Sequence, residues 1–208
     1  MVIVNIRGTS GSGKSTLVHR FLQEHPHEPI KAILSDWKKE KVVAYKCNIL
    51  NHEEIANRPR FNVVDLSKPR FTYVMGRYET QCGGWDSMSY KGSHEDLQQM
   101  IDMAAEKGNV IFEGLTVSSS YGRWLKISQK YPGQFVWAFM DTPEEVCYQR
   151  ILARSGREPK RDANGSADYN RKYHGCEVQS KKLIEMGEKV IWLSSDTNGY
   201  QKLLEVLN

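Results

Sequence analysis

The stretch RGTSGSGKST, residues Arg7 to Thr16, decides the fold of this chain. An apolar run, Val2 to Ile6, precedes it and is typical of a buried strand, while Lys14 to Gln23 has the apolar spacing of a helix. In α/β folds, ligands collect outside the carboxyl ends of parallel strands, where a loop joins a strand to a helix. We therefore predict an α/β fold whose first loop binds a ligand.

The spacing within this loop, beginning at Gly8, matches G-x-x-x-x-G-K-S/T. Glycines let backbone N–H groups converge on phosphate oxygens, and the helix that follows adds the positive end of its dipole. Lys14 would then reach the β- and γ-phosphates, and the Ser15 hydroxyl would hold Mg²⁺. A flexible glycine turn would need neither residue at these offsets. The sequence thus predicts a site for ATP and Mg²⁺ formed by Gly8, Thr9, Ser10, Gly11, Ser12, Gly13, Lys14, Ser15 and Thr16.

The composition is that of an ordinary globular domain, with 208 residues, 39% hydrophobic and 26% charged, and a net charge of +4. We expect one domain over residues 1–208. The apolar runs are too short to cross a membrane, and the first residues lack the pattern of a secretory signal. The four cysteines are scattered, which favours free thiols in a reducing compartment. A cytoplasmic protein is expected, and its mild positive charge permits an anionic partner without requiring one.

Apolar runs alternate with helical patterns along the chain, which is typical of a three-layer α/β/α sandwich with a mostly parallel sheet. Five strands are predicted, at Val2–Ile6, Ile30–Leu34, Asn109–Phe112, Phe135–Met140 and Lys189–Leu193. Further helices are predicted from Ser93 to before Gly108, from Thr142 to Arg154, and at Asp168–Met186 and Tyr200–Leu207. Thr142, Pro143 and Glu145 have the spacing of a capping box, with proline at the first helical position.

Residues 41–92 break this alternation. The segments KVVAYKCNIL, FNVVDL and FTYVMGRYE are typical of short strands, and a glycine-containing loop, CGGWDSMSYKGS, follows them. We interpret the stretch as a β-rich insertion after the second strand, where such folds often build the site of the acceptor substrate.

Asp36 follows the second predicted strand directly. The carboxyl edge of the sheet would place it near the γ-phosphate of a bound nucleotide. A carboxylate there can accept the proton of an attacking hydroxyl, so Asp36 is a candidate general base. Asp86, in the glycine loop, is the rival base, and capping a helix is the alternative role of Asp36.

Together with the first loop, the segments VIFEGL and FVWAFMDTPEEVCYQRILARSGR resemble the P-loop kinases, enzymes related to nucleotide and nucleoside kinases. The resemblance covers most of the chain. It implies that Glu113, at the end of an apolar strand, orients Mg²⁺ through water. A glutamate that caps a helix is the alternative.

The segment RILARSGREPKR resembles the lid of these kinases, which would span residues 155–167. Arg150 and Arg154 lie one turn apart on a helix face, and Gly156 and a following proline end that helix. Cations that arrive on closure, with Arg157 among them, would stabilise the charge that develops during phosphoryl transfer. Alternatively, these arginines pair on the surface with nearby carboxylates, namely Glu144, Glu145 and Glu158.

The segment YVMGRYETQCGGWDSM resembles a motif of the phage kinases that phosphorylate 5-hydroxymethyluracil within DNA. Tyr78 and Trp85 offer flat faces for stacking a base, and Arg70 and Arg77 could contact backbone phosphates, with Asp86 in the same substrate site. Trp85 departs from the smaller residue expected there in that family. The alternative for the aromatic residues is to pack as a cover over the core.

The sequence therefore predicts a kinase that uses ATP and Mg²⁺ to phosphorylate a hydroxyl, with the hydroxymethyl group of 5-hydroxymethyluracil in phage DNA as the favoured acceptor. A polynucleotide 5′-hydroxyl, a nucleoside or another small alcohol is the alternative acceptor. A nucleotide switch or motor ATPase is an alternative from another class, which the lid-like arginines disfavour. A nucleotide-binding scaffold would leave Asp36 and Glu113 without a role.

Overall fold

The computed structural model of this chain describes residues 1–32, 40–48, 71–79, 84, 94–113, 122–158 and 168–208. The strands are β1 (Ile3–Arg7), β2 (His27–Ala32), β3 (Lys41–Asn48), β4 (Phe71–Met75), β5 (Asn109–Glu113), β6 (Phe135–Met140) and β7 (Lys189–Leu193). The helices are α1 (Lys14–Glu24), α2 (His94–Ala105), α3 (Gly122–Lys130), α4 (Glu144–Ser155), α5 (Asp168–Glu185) and α6 (Thr197–Leu207).

Within the described residues the strands form one sheet in the order β2-β3-β4-β5-β1-β6-β7. The strands from β4 to β7 are parallel to their neighbours, with β1 between β5 and β6. Only the β2 side departs from this pattern, because β3 is antiparallel to both β2 and β4. The α/β class is confirmed, and the sheet is mixed rather than purely parallel.

Helices cover both faces of the sheet. One apolar cluster joins the sheet to α2, α3 and α5 through Ile101, Trp124 and Leu183. The other joins it to α1 and α6, with Phe21 and Leu203 among its buried side chains. The predicted three-layer sandwich is therefore confirmed. No helix in the described part of the chain has the length and apolar character needed to cross a membrane.

The predicted strand count of five is wrong, since the sheet has seven strands. The two additional strands, β3 and β4, come from the stretch predicted to be an insertion and are built into the main sheet. β3 is buried on both faces over Val42 to Tyr45, as an interior strand requires. The preceding strand β2 is largely exposed because it forms the edge of the sheet.

The capping box predicted for α4 is also wrong. Pro143 precedes the first helical residue, and no side chain caps the N-terminus of the helix. The Thr142 hydroxyl instead donates to the Ser12 carbonyl at 2.8 Å. The predicted end of this helix is confirmed, because Gly156 takes a left-handed conformation with a φ of 62° and its N–H donates to the Leu152 carbonyl.

Three of the cysteines, Cys47, Cys147 and Cys176, are buried and free, and Cys82 lies outside the described residues. Burial raises the pKa of the Cys47 thiol to about 12 and also raises the pKa values of the other two thiols. These three side chains therefore stay protonated at neutral pH and pack as small apolar groups.

Candidate active site at the carboxyl edge of the sheet

Four parallel strands, β5, β1, β6 and β7, end side by side at one edge of the sheet. β1 lies at the centre, with Ile6 opposite Glu113 of β5 and opposite Ala138 of β6. From β1 the chain passes to the edge strand β2 and builds the sheet back through β3, β4 and β5 to β1, and it then crosses to β6 on the other side. The order of the strands thus reverses beside β1, which is where open α/β sheets form their ligand crevice.

The loop that follows β1 needs glycine at two positions. Gly11 and Gly13 have φ values of 79° and 94°, a left-handed conformation that other residues rarely adopt. A Cβ at Gly11 would lie 2.4 Å from the Cys147 carbonyl oxygen, and one at Gly13 would lie 2.5 Å from the Cβ of Ser195. The loop is therefore packed closely between α4 and the segment that follows β7.

Hydroxyl groups hold this loop in shape. Thr9 donates to the Tyr169 carbonyl at 2.7 Å, and Ser12 donates to the Thr9 carbonyl at 2.8 Å. With the bond from Thr142 to Ser12, the loop is tied to α4 and to α5. The side chains of Thr9 and Ser12 are buried, so these two residues of the predicted nucleotide site shape the loop through their hydroxyls. Two further hydroxyl residues of the predicted site, Ser10 and Thr16, are exposed.

The N-terminus of α1 is electrostatically open to an anion. The helix begins at Lys14 and has no acidic residue in its first turn, so its positive dipole end is not neutralised there. The Lys14 ammonium donates to the carbonyls of Gly8 and Thr9, at 3.0 Å each. Both acceptors are neutral, so these bonds leave the positive charge of Lys14 uncompensated.

Ser15 and Glu113 are brought together by the fold, although they lie far apart in the sequence. The Ser15 hydroxyl donates to Glu113 Oε1 at 2.6 Å, and Glu113 is only 2% exposed. One residue is in the first turn of α1 and the other ends β5. A hydroxyl and a carboxylate at this spacing are oxygen ligands of the kind that Mg²⁺ prefers.

The predicted arginines lie on or just after α4 and are exposed. Arg150 bridges two loops, because Nη1 donates to the Gly11 carbonyl at 3.2 Å and Nη2 to Ser195 Oγ at 3.1 Å. Arg154 lies in the last turn of α4. Arg157 follows the end of the helix, and its backbone N–H donates to Ser155 Oγ. Arg150 thus contacts the phosphate-binding loop.

The carboxylates near these arginines have other hydrogen-bond partners. Glu144 accepts from Asn170, Glu145 accepts from Gln149, and Glu158 accepts from the Tyr148 hydroxyl. The structure therefore gives each of these carboxylates a partner other than an arginine.

Among the residues predicted to bind the acceptor substrate, Arg77 pairs with Glu79 at 2.8 Å, and its backbone bonds to Gly84. Tyr78 is only 6% exposed and packs edge-on against His19 of α1, with ring centroids 5.4 Å apart. This corrects the expectation of base stacking for Tyr78, since its ring covers the core. The remaining predicted residues, Asp36, Arg70, Trp85 and Asp86, lie outside the described residues.

Comparison with known proteins agrees with this geometry. A family model described as an AAA domain matches residues 3–172. This chain belongs to that family. A 5-hmdU DNA kinase of Pseudomonas phage M6 is 28% identical over 91% of this chain and 89% of its own length. A 5-hmdU DNA kinase of Pseudomonas phage PaMx11 is 26% identical over 93% of this chain and 91% of its own length. The predicted resemblance to phage kinases of this kind is thereby confirmed.

The candidate site contains further residues that were not predicted from the sequence. Thr142 and Ser195 follow β6 and β7, and both contact the phosphate-binding loop or its arginine. The sequence signal that could have identified Thr142 and Ser195 is that each lies just after an apolar strand. Arg7 ends β1 and is only 3% exposed, with its guanidinium over the Trp137 ring and bonded to Gln179 Oε1 at 3.0 Å. Gly84 lies against Glu113, a contact that no local pattern reveals.

Proposed function

We propose that this chain is an ATP-dependent kinase that transfers the γ-phosphate to a hydroxyl, and that its acceptor is the 5-hydroxymethyl group of 5-hydroxymethyluracil in DNA. The observation that carries the proposal is the joint placement of Lys14, Ser15 and Glu113 at the N-terminus of α1. The reaction would take place in the cytoplasm, where ATP is available.

The phosphate groups of ATP would lie in the loop from Gly8 to Gly13, bound by backbone N–H groups and by the dipole of α1. Lys14 has a charge available for the β- and γ-phosphates, because its present acceptors are two neutral carbonyls. Arg150 is already positioned beside this loop. We propose that Arg154 and Arg157 add positive charge around the phosphates of ATP when the lid at residues 155–167 closes.

Ser15 and Glu113 are the residues that would hold Mg²⁺. Their oxygens lie 2.6 Å apart, and the carboxylate is almost fully buried. An ion held there would supply positive charge to offset the negative charge that develops during transfer. Glu113 would orient it through water.

The acceptor hydroxyl must lose a proton as its oxygen bonds to the γ-phosphorus. In the same step the bond from that phosphorus to the β-γ bridging oxygen breaks, and ADP leaves. We propose Asp36 as the base that takes the proton, with Asp86 as the other candidate. Arg70, Arg77 and Trp85 would contact the DNA strand. The names of the phage relatives favour this acceptor over nucleosides or small alcohols.

The proposal is tested by incubating the protein with γ-labelled ATP and a panel of acceptors. The panel contains DNA with 5-hydroxymethyluracil, the same DNA with thymine, the free nucleoside and a sugar alcohol. We expect label in the hydroxymethylated DNA alone. Digestion to nucleosides should leave the label on the base, and a 5′-phosphatase should not remove it before digestion.

Label at the 5′-end of either DNA would make the chain a polynucleotide kinase and would overturn the assigned acceptor. Label in the sugar or nucleoside alone would overturn it in the same way. The Lys14→Ala variant serves as the control for contaminating kinases, since it retains every residue proposed to contact DNA.

A further inference from the structure

Gly84 is the one described residue of the loop CGGWDSMSYKGS, and it lies at the candidate active site. It is buried, and its φ of 109° falls in the region that favours glycine. Its N–H donates to the Arg77 carbonyl at 2.8 Å, and the Arg77 N–H donates to the Gly84 carbonyl at 3.3 Å. The chain that leaves β4 is therefore closed into a loop by a two-bond bridge between Arg77 and Gly84.

The α-carbon of Gly84 faces the Glu113 carboxylate at very short range. A Cβ at this position would lie 2.5 Å from Oε1, 3.1 Å from Cδ and 3.2 Å from Cγ of Glu113. Oε1 is the same atom that accepts the Ser15 hydrogen bond at 2.6 Å. A methyl group at this position would therefore require the Glu113 carboxylate, which is almost fully buried and bonded to Ser15, or the backbone at Gly84 to shift.

The other end of the bridge is fixed against α1. Tyr78 directly follows Arg77, and its ring packs on His19, which lies one helical turn after Ser15. The chain after β4 thus contacts α1 through Tyr78 and the Glu113 carboxylate through Gly84.

We infer that Gly84 is a positioning residue that sets the place of the Glu113 carboxylate. Its lack of a side chain lets the backbone at Gly84 approach the Glu113 carboxylate directly, so Gly84 and the Ser15–Glu113 pair form one unit. The inference deepens the proposed function, on which it rests for the role of Glu113 toward Mg²⁺. It predicts that the geometry of the ion site depends on Gly84, a residue with no side chain to bind the ion.

The test compares Gly84→Ala with Gly187→Ala. Gly187 also has a positive φ, of 79°, but a Cβ there would meet nothing within 4 Å, so this control carries backbone strain without the contact. Binding of Mn²⁺ to the enzyme with a non-hydrolysable ATP analogue is measured by electron paramagnetic resonance, without DNA. We expect Gly84→Ala to weaken Mn²⁺ binding by about 10- to 100-fold, as displacing a group that orients a metal site commonly does. Gly187→Ala should bind Mn²⁺ as the wild type does.

A double-mutant cycle identifies the residue through which Gly84 acts. With Glu113→Ala as background, the contact and the carboxylate are both absent, so we expect Gly84→Ala to weaken Mn²⁺ binding no further. Equal losses in both backgrounds would overturn the inference, and so would wild-type Mn²⁺ affinity in Gly84→Ala.

A second measurement does not require the Gly84 variant to fold. Deuterium uptake by the peptide that contains Gly84 is followed in the wild type and in Glu113→Ala. We expect the metal and the ATP analogue to slow uptake in the wild type only, and equal slowing in both proteins would overturn the inference. Since no acceptor is present, these readouts stand even if the enzyme phosphorylates a different hydroxyl.

Discussion

The two halves of the candidate site differ in how far the protein has built them in advance. On the phosphate side, Glu113 is buried, Ser15 is bonded to it, and hydroxyl groups tie the loop to the neighbouring helices. On the side predicted to form a lid, Arg154 and Arg157 are exposed. Arg150 is also exposed, but it already donates to two neutral oxygens of the site, at 3.1 and 3.2 Å.

This difference indicates when each half forms. Donors and dipoles fixed during folding need no reorganisation at the moment of reaction, which is how a preorganised site lowers a barrier. Exposed arginines on a helix that ends in glycine can move when a ligand arrives, and closure then excludes water. We expect the loss of Lys14, the cation of the phosphate side, to lower activity more than the loss of an arginine on the lid side.

The largest effect is expected from Lys14→Ala. A cation that contacts the transferred phosphoryl group is worth about 10³- to 10⁵-fold in rate, and Lys14 has no nearby substitute on α1. The measurement is kcat, with thermal unfolding to show that the fold is intact. Lys202→Ala, an exposed lysine on α6, is the matched control. A folded Lys14→Ala enzyme with near-normal turnover would contradict the assignment of the phosphate site.

Asp36→Asn is expected to slow transfer by about 10²- to 10⁴-fold while ATP binding stays unchanged, because the amide keeps the shape but cannot take the proton. Steady-state kinetics at saturating acceptor measure this. A residue that only caps a helix would behave otherwise, since asparagine caps about as well as aspartate. An unchanged kcat would therefore move the role of base to Asp86, for which Asp86→Asn is the parallel variant.

Substitution of the two arginines of α4, Arg150 and Arg154, should change different kinetic constants. We expect Arg154→Ala to lower kcat by about 10- to 100-fold, because its charge would be supplied on lid closure. Arg150→Ala should mainly raise the KM for ATP, because Arg150 already joins the loop at Gly11 to Ser195. Kinetics with ATP varied measure both. If both variants changed kcat and KM equally, the distinction between a prebuilt and a closing half would be wrong.

The smallest effect is expected from Thr142→Val. It removes the hydrogen bond to the Ser12 carbonyl without changing the size of the side chain much. Leaving that buried carbonyl unpaired should lower the free energy of unfolding by about 1–3 kcal/mol, with kcat reduced only a few-fold. Chemical denaturation measures the first quantity. Thr142→Ser keeps the hydroxyl and should retain most of the stability, whereas wild-type stability in Thr142→Val would show that the bond contributes nothing.

The sequence predicted those parts of the fold that depend on local pattern. β6 and β7 were predicted with the bounds that the structure has, because each is a short apolar run between polar residues. The start of α1 at Lys14 was also predicted, since the loop motif determines where the helix begins. The helix α3 was not predicted.

The errors arose where distant residues decide the local structure. β2 reads HEPIKA and has little apolar character, because it is an exposed edge strand that depends on β3 for its pairing. Thr142 matched a local capping pattern, but its hydroxyl bonds to Ser12, 130 residues earlier. The proximity of Gly84 to Glu113 likewise depends on how β4 and β5 pair. Spacing along the chain contains no information on such contacts.

The most direct test of the account measures two products in one reaction. ADP release and phosphate incorporated into DNA are followed together, with hydroxymethylated DNA, with thymine DNA and without DNA. A kinase with the proposed acceptor should form ADP and DNA phosphate in equal amounts with hydroxymethylated DNA, and little ADP in the other two reactions. ADP formation at the same rate in all three reactions, with no phosphate in DNA, would instead identify an ATPase and contradict the proposed function.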